Sequence, residues 1–234
     1  MGNPFRFNAL LVAGVVFIGQ MSPLHAAVIF NNSTNDLLTR FDPGTNEVGD
    51  EILLAGTERY ITAFSFEFFG TNTASPTSYA GGDVEARVRF YVNNGTPFNG
   101  YATPGTVFFD SGWFSIGAPT ARSTAIFQGT DFPAGGEFIP IPITASNMTW
   151  SVQFEGMGAT DSVGVDIYSP PVVGSDYPDY WQYDGGGWEL LTNTVPMNFA
   201  AYMEATVPEP SVVTLSLFGG LGILAFAYRL RRKS

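Results

Sequence analysis

The richest chemistry in this sequence lies between Gly174 and Trp188, which reads GSDYPDYWQYDGGGW. Aromatic and acidic side chains alternate there on a Gly-rich loop. Exposed indole and phenol rings stack on sugar faces, and carboxylates and amides bond the hydroxyls. Trp181, Tyr183 and Trp188 are therefore candidate carbohydrate-binding residues. The same rings have a second use, closing the end of a β-sandwich, which is where aromatics commonly sit. The carboxylates Asp176, Asp179 and Asp184 are candidate ligands for a structural calcium ion, which takes oxygen donors from loops. Asp42, Asn46, Asp50 and Glu51 form another such group. Neither group has EF-hand spacing, and solvated acidic turns are the alternative for both.

Other chemistries are excluded by what the chain lacks. It has no cysteine, so disulfides, thiolate catalysis and Cys-based metal sites are absent. The one histidine is His25, and the one lysine is Lys233, near the end of the chain. A Ser-His-Asp triad, a His-ligated zinc and a Lys Schiff base are thus unavailable to the body of the protein. A glycosidase remains possible, because it runs on two carboxylates across a cleft, one with a raised pKa. Glu67, Glu155 and Glu204 fall in predicted strands, each on the polar face, where solvation is the simpler expectation.

Charge narrows the partners further. Charged residues make up only 13% of the 234, against about 25% in an ordinary soluble domain. Between residues 27 and 206 the cations are Arg40, Arg59, Arg87, Arg89 and Arg122, and every acidic residue except Glu209 lies in the same stretch. With 20 acidic and 5 basic groups, this body carries a net charge near −15. Such a surface repels phosphate backbones, which excludes nucleic acid as a partner, and it keeps an exported domain soluble.

The elements that position these residues read as strands. Val84, Ala86, Val88, Phe90 and Val92 alternate with polar or less apolar neighbours, and a turn follows at Asn93-Asn94-Gly95. Phe64, Phe66 and Phe68 share one face of a strand over Tyr60–Phe69. Trp150, Val152 and Phe154 alternate in the same way, and Phe199, Ala201, Met203 and Ala205 make a last strand. Further strands are expected at Glu51–Leu54, Thr106–Ile116, Thr124–Phe127, Phe138–Ile143, Val163–Tyr168 and Trp188–Leu191. About ten short strands between Gly/Pro/Asn-rich turns predict an all-β domain, an antiparallel β-sandwich of jelly-roll type, spanning 27–206.

Both ends of the chain read as targeting elements. Arg6, the apolar run Ala9–Ile18, the breakers Gly19 and Pro23 and the small residue Ala26 follow the order of a secretory signal peptide over 1–26. The run is short for a membrane anchor. At the other end stand Pro208, Glu209 and Pro210, then an apolar stretch at 212–228, then Arg229, Arg231, Arg232 and Lys233. Those 17 residues would form a helix about 25 Å long, enough for a bilayer core. The basic cluster keeps the tail cytoplasmic and the acidic body outside, as the leader also requires. Each proline disfavours helix just before it, so the triplet holds the backbone extended, as a protease groove accepts it.

This triplet, helix and tail, over 207–234, resemble a PEP-CTERM sorting signal. The resemblance implies a membrane-embedded exosortase-type protease that recognises the motif, cuts the chain and releases or re-anchors the protein. The partners expected are then signal peptidase and the secretion machinery, the exosortase, and the membrane through 212–228. The leading expectation is a non-catalytic exported surface or extracellular-matrix protein, anchored in the inner membrane before processing and found at the cell surface or outside the cell afterwards. A carbohydrate-binding module for extracellular polysaccharide is the alternative, and a secreted glycan hydrolase is a second one.

Overall fold

The structure is a computed structural model and describes residues 26–132, 139–142 and 146–207. The leader through His25, Pro208, Glu209 and Pro210, the apolar run 212–228 and the basic tail lie outside these residues. Among the described residues no helix is long and apolar enough to cross a membrane.

The described chain is all-β. Its strands are β1 (Ala27–Asn32), β2 (Asp36–Phe41), β3 (Glu47–Leu53), β4 (Tyr60–Asn72), β5 (Glu85–Tyr91), β6 (Val107–Ser115), β7 (Thr120–Gln128), β8 (Ile139–Pro140), β9 (Asn147–Glu155), β10 (Asp161–Tyr168), β11 (Ser175–Asp176), β12 (Asp179–Tyr183), β13 (Trp188–Thr192) and β14 (Ala201–Thr206). A single 3₁₀ turn, Gly129–Asp131, is the only helical element among the described residues.

The strands make two antiparallel sheets. The first runs β1-β14-β4-β10-β2, with β7 and β8 on the opposite edge of β4. Strand β4 is 13 residues long, so one edge accepts β14 along its first half and β10 along its second. The second sheet runs β13-β12-β3-β9-β5-β6, with β11 also beside β3.

Period-two patterning sets how the sheets face each other. Phe64, Phe66 and Phe68 turn to one side of β4, and Val88 and Phe90 of β5 with Trp150 and Val152 of β9 turn toward them. The Phe64 ring lies 4.9 Å from Phe90 and 5.3 Å from Trp150, both across the gap between sheets. Trp150 also meets Phe199 edge-on at 5.9 Å. Removing one such ring leaves a cavity that costs about 3–5 kcal/mol, so this aromatic layer holds the sheets together.

The predicted strands over 60–69, 84–92, 106–116, 150–155 and 163–168 are present, with their boundaries moved by a few residues. Strands β1, β2, β11 and β12 were not expected. Each lacks a clean polar/apolar alternation: β2 has Leu38 at φ 56°, an irregularity in its pairing with β10. Strand β12 looks like loop because glycines flank it and because Tyr180 and Trp181, on opposite faces, are both buried.

Candidate functional site

The aromatic segment folds into the β12–β13 hairpin. Trp181 pairs with Gly49 of β3 and is 1% exposed, with Phe98 edge-on at 6.5 Å. It therefore offers no face to a sugar, which corrects the expectation for this residue: the loop carrying Phe98 covers the sheet at that point. Tyr183 and Trp188 stand opposite each other across the hairpin, with ring centroids 5.4 Å apart. Trp188 also meets Tyr91 edge-on at 5.4 Å. Tyr183 keeps 36% of its surface exposed and Trp188 is half-buried. Of the three rings, these two share a surface.

Beside them runs a polar ladder that the sequence did not reveal. Arg87 and Arg89 on β5 both reach Asp110 on β6, and Arg89 also pairs with Glu47 on β3. Glu47 Oε1 accepts further hydrogen bonds from Tyr91 Oη, at 2.7 Å, and from Ser151 Oγ. Hydrogen bonding from Arg87 holds the Asp110 carboxyl down at about 2, against the opposing effect of burial. Burial, then the charge of Glu47, pushes the Tyr91 phenol well above its ordinary range. Every member is engaged by another, so the ladder fastens β3, β9, β5 and β6 together and leaves little free to act on a ligand.

The first sheet carries a second network on its outer face. Glu67 is 7% exposed, pairs with Arg122 and accepts from Tyr168 Oη at 2.7 Å. It is not the solvated strand residue expected from alternation, because the Arg122 guanidinium lies across it and over the Tyr168 ring at 5.3 Å. Arg40 Nε stands 2.9 Å from Asp166 Oδ1, and Asp36 joins both arginines. Asp166 is fully buried, and burial pushes it up to about 6 in spite of Arg40. Glu155 and Glu204 are half-buried, Glu204 taking the Tyr202 hydroxyl.

The calcium candidates are scattered. Asp179 and Asp184 flank β12 at opposite ends, about 16 Å apart along an extended strand, and Asp184 caps its own turn through the Gly186 N–H at 2.8 Å. Asp42 likewise closes a local turn, accepting from the Gly44 N–H at 2.8 Å. Asp50 and Glu51 are neighbours on β3 and so point to opposite faces. Among the described residues no group of three or more His, Cys, Asp or Glu converges to hold a metal ion.

Asp50 and Asp176 nevertheless influence each other. Burial and then the Asp176 charge push Asp50 well above the carboxylate range, against a hydrogen bond from the Phe199 N–H. Burial pushes Asp176 up to about 7. Burial also raises Asp179, and it raises Glu51 against the Asn147 amide, whose Nδ2 donates to Glu51 Oε1 at 2.6 Å. A groove of about 440 Å³ opens between β6 and β7, lined by Phe68, Phe114, Ile116, Phe127 and Asp131 among others. Neither the candidate rings Trp181, Tyr183 and Trp188 nor the candidate carboxylates line it.

The chain matches no known family. The comparisons with curated proteins and with solved structures likewise find no match.

Arg89→Met leaves Glu47, 3% exposed, without its cation, and denaturant unfolding should show a loss of about 3 kcal/mol. Arg122→Met should cost less than half as much, because that arginine is 47% exposed and water can replace it. Asp166 gives the pH dependence. Its folded-state pKa of about 6 lies above the ordinary 3.8 of an aspartate, so the stability it contributes is full below pH 3.8 and is lost as pH rises through about 6. Melting temperature should fall over that window, and Asp166→Asn should flatten the slope.

Proposed function

We propose that this chain is an exported, non-catalytic surface or extracellular-matrix protein whose C-terminal segment is a sorting tail cut by an exosortase-type protease. The observation that carries the reading is where the body's strands begin and end. Strand β1 starts at Ala27, next to the cleavage expected after Ala26, and β14 stops at Thr206, just before the sorting segment. Ala27 pairs with Ala205, so both ends of the body leave from the same end of one sheet. A domain with this arrangement keeps every described strand when the leader and the tail are removed. Its role at the surface then rests on the acidic β body alone.

The strand order supports a jelly-roll reading of that body. With β1, β3, β4, β5, β6, β7, β9 and β14 counted as its eight principal strands, the sheets follow the orders 1-8-3-6 and 2-7-4-5. The remaining strands are additions to that frame. The absence of cysteine, of lysine and histidine in the body, and the engagement of the outer-face carboxylates with arginines support a structural or binding role over a catalytic one.

One observation favours a second reading, binding of extracellular polysaccharide: the partly exposed Tyr183–Trp188 ring pair beside the polar ladder. Both readings have direct tests. In the native host, Glu209→Ala should be exported normally yet keep its tail, running larger on a denaturing gel. An unchanged mature size and location would reject the sorting reading. On a glycan array, the wild-type protein should bind and Trp188→Ala should lose most of the signal. A silent wild-type protein would reject the sugar reading and leave the sorting reading standing.

A further inference from the structure

The interior next to β3 and β11 holds polar atoms that nothing in the fold satisfies. Asp50 is 0% exposed; its Oδ2 accepts the Phe199 N–H at 2.9 Å, and its Oδ1 has no hydrogen-bond partner. Asp176 Oδ1 accepts Asn198 Nδ2 at 2.7 Å, and its Oδ2 is buried without a partner. Asn198 is 4% exposed, and its Oδ1 is also buried and unpartnered.

These three residues belong together by topology. Asp176 pairs with Ile52, two residues along β3 from Asp50, so both carboxylates face the same side of the sheet. Asn198 and Phe199 are consecutive, and from these adjacent positions one donates to each carboxylate. Each residue thus uses one polar atom to fix its position and leaves one oxygen over.

Among the described residues the ion pairs formed by Arg40, Arg87, Arg89 and Arg122 all go to other carboxylates. Arg87 and Arg89 belong to the ladder on the far part of the second sheet, and Arg40 and Arg122 to the network outside the first. Arg59 donates to the carbonyls of Ala55 and Glu58 in the turn before β4. The nearby titratable groups, Asp179 and Glu51, are acidic too. An ionised carboxylate buried without a partner is strongly unfavourable, so the pair either holds protons or takes up a cation that displaces them.

We propose that Asp50, Asp176 and Asn198 form a binding site for calcium inside the body. The free donors are all oxygen, with no nitrogen or sulfur ligand, which selects a hard cation. Magnesium dehydrates reluctantly and demands near-ideal octahedral geometry, whereas calcium accepts irregular oxygen shells. Two carboxylates match its charge. Backbone carbonyls and water complete a shell of about six to eight oxygens. This site differs from the acidic loops of the sequence analysis: it shares only Asp176 with one group and Asp50 with the other, and its third donor is an amide.

The test uses the full chain in detergent, stripped with chelator. Calcium chloride should bind at one high-affinity site by isothermal titration calorimetry, and at roughly 1 mM it should raise the melting temperature by several degrees. Magnesium at the same concentration should do neither. Asp50→Asn should abolish both effects and should itself melt higher than wild type in chelator at neutral pH, because it removes a buried acid that must be held protonated to fold. Asp184→Asn, in an exposed turn, should bind calcium as wild type does. Calcium binding that survives in both Asp50→Asn and Asn198→Ala, or no binding by the wild-type protein, would overturn the proposal.

Discussion

Twenty carboxylates between residues 27 and 206 share five arginines, and much of the structure is arranged around that shortage. Four arginines are spent in two places. Arg87 and Arg89 hold Asp110 and Glu47 on the outer face of the second sheet, and Arg40 and Arg122 hold Asp166, Asp36 and Glu67 on that of the first. Each network ties neighbouring strands together at positions where alternation alone would leave side chains in water. The two sheets are thus fastened from outside by charge and from inside by the Phe64, Phe90 and Trp150 rings. Asp42 and Asp184 instead close turns of their own. Asp50 is fully buried and Asp176 half-buried with one buried oxygen, and among the described residues neither has a guanidinium beside it.

This allocation bears on function. A catalytic carboxylate must be free to exchange a proton with a substrate, and Glu47, Glu67, Asp110 and Asp166 on the two outer faces are bound to arginine. What is left on the surface is acidity and a few partly exposed rings. That is compatible with the proposed surface role, and the described strands run from Ala27 to Thr206, between the expected leader and the expected tail.

Much of this was readable in the sequence where a strand has one dry face and one wet face. Val84 to Phe90, Phe64 to Phe68 and Trp150 to Phe154 have that pattern, and all are buried as expected. Reading failed where both faces are covered. Strand β12 was read as a loop whose rings either meet a ligand or close the end of the sandwich; Tyr180 packs on Phe41 at 5.0 Å on one side while Trp181 is enclosed on the other. Glu67 was placed in solvent because a single sequence does not show that Arg122, 55 positions away, will cover it. Asp50 is different, since the signal was present. Val48, Asp50 and Ile52 are spaced two apart, which puts the carboxylate on the apolar face; starting the strand at Glu51 instead of Glu47 hid it.

The claim that ties charge to structure is that the Asp50–Asp176 pair is balanced by a bound cation. Anomalous X-ray diffraction from crystals of the protein grown with a lanthanide in place of calcium tests it most directly. The account predicts a strong peak about 2.3–2.6 Å from the free oxygens of Asp50, Asp176 and Asn198. Peaks only at exposed acids such as Asp184, with none between β3 and β11, would contradict it.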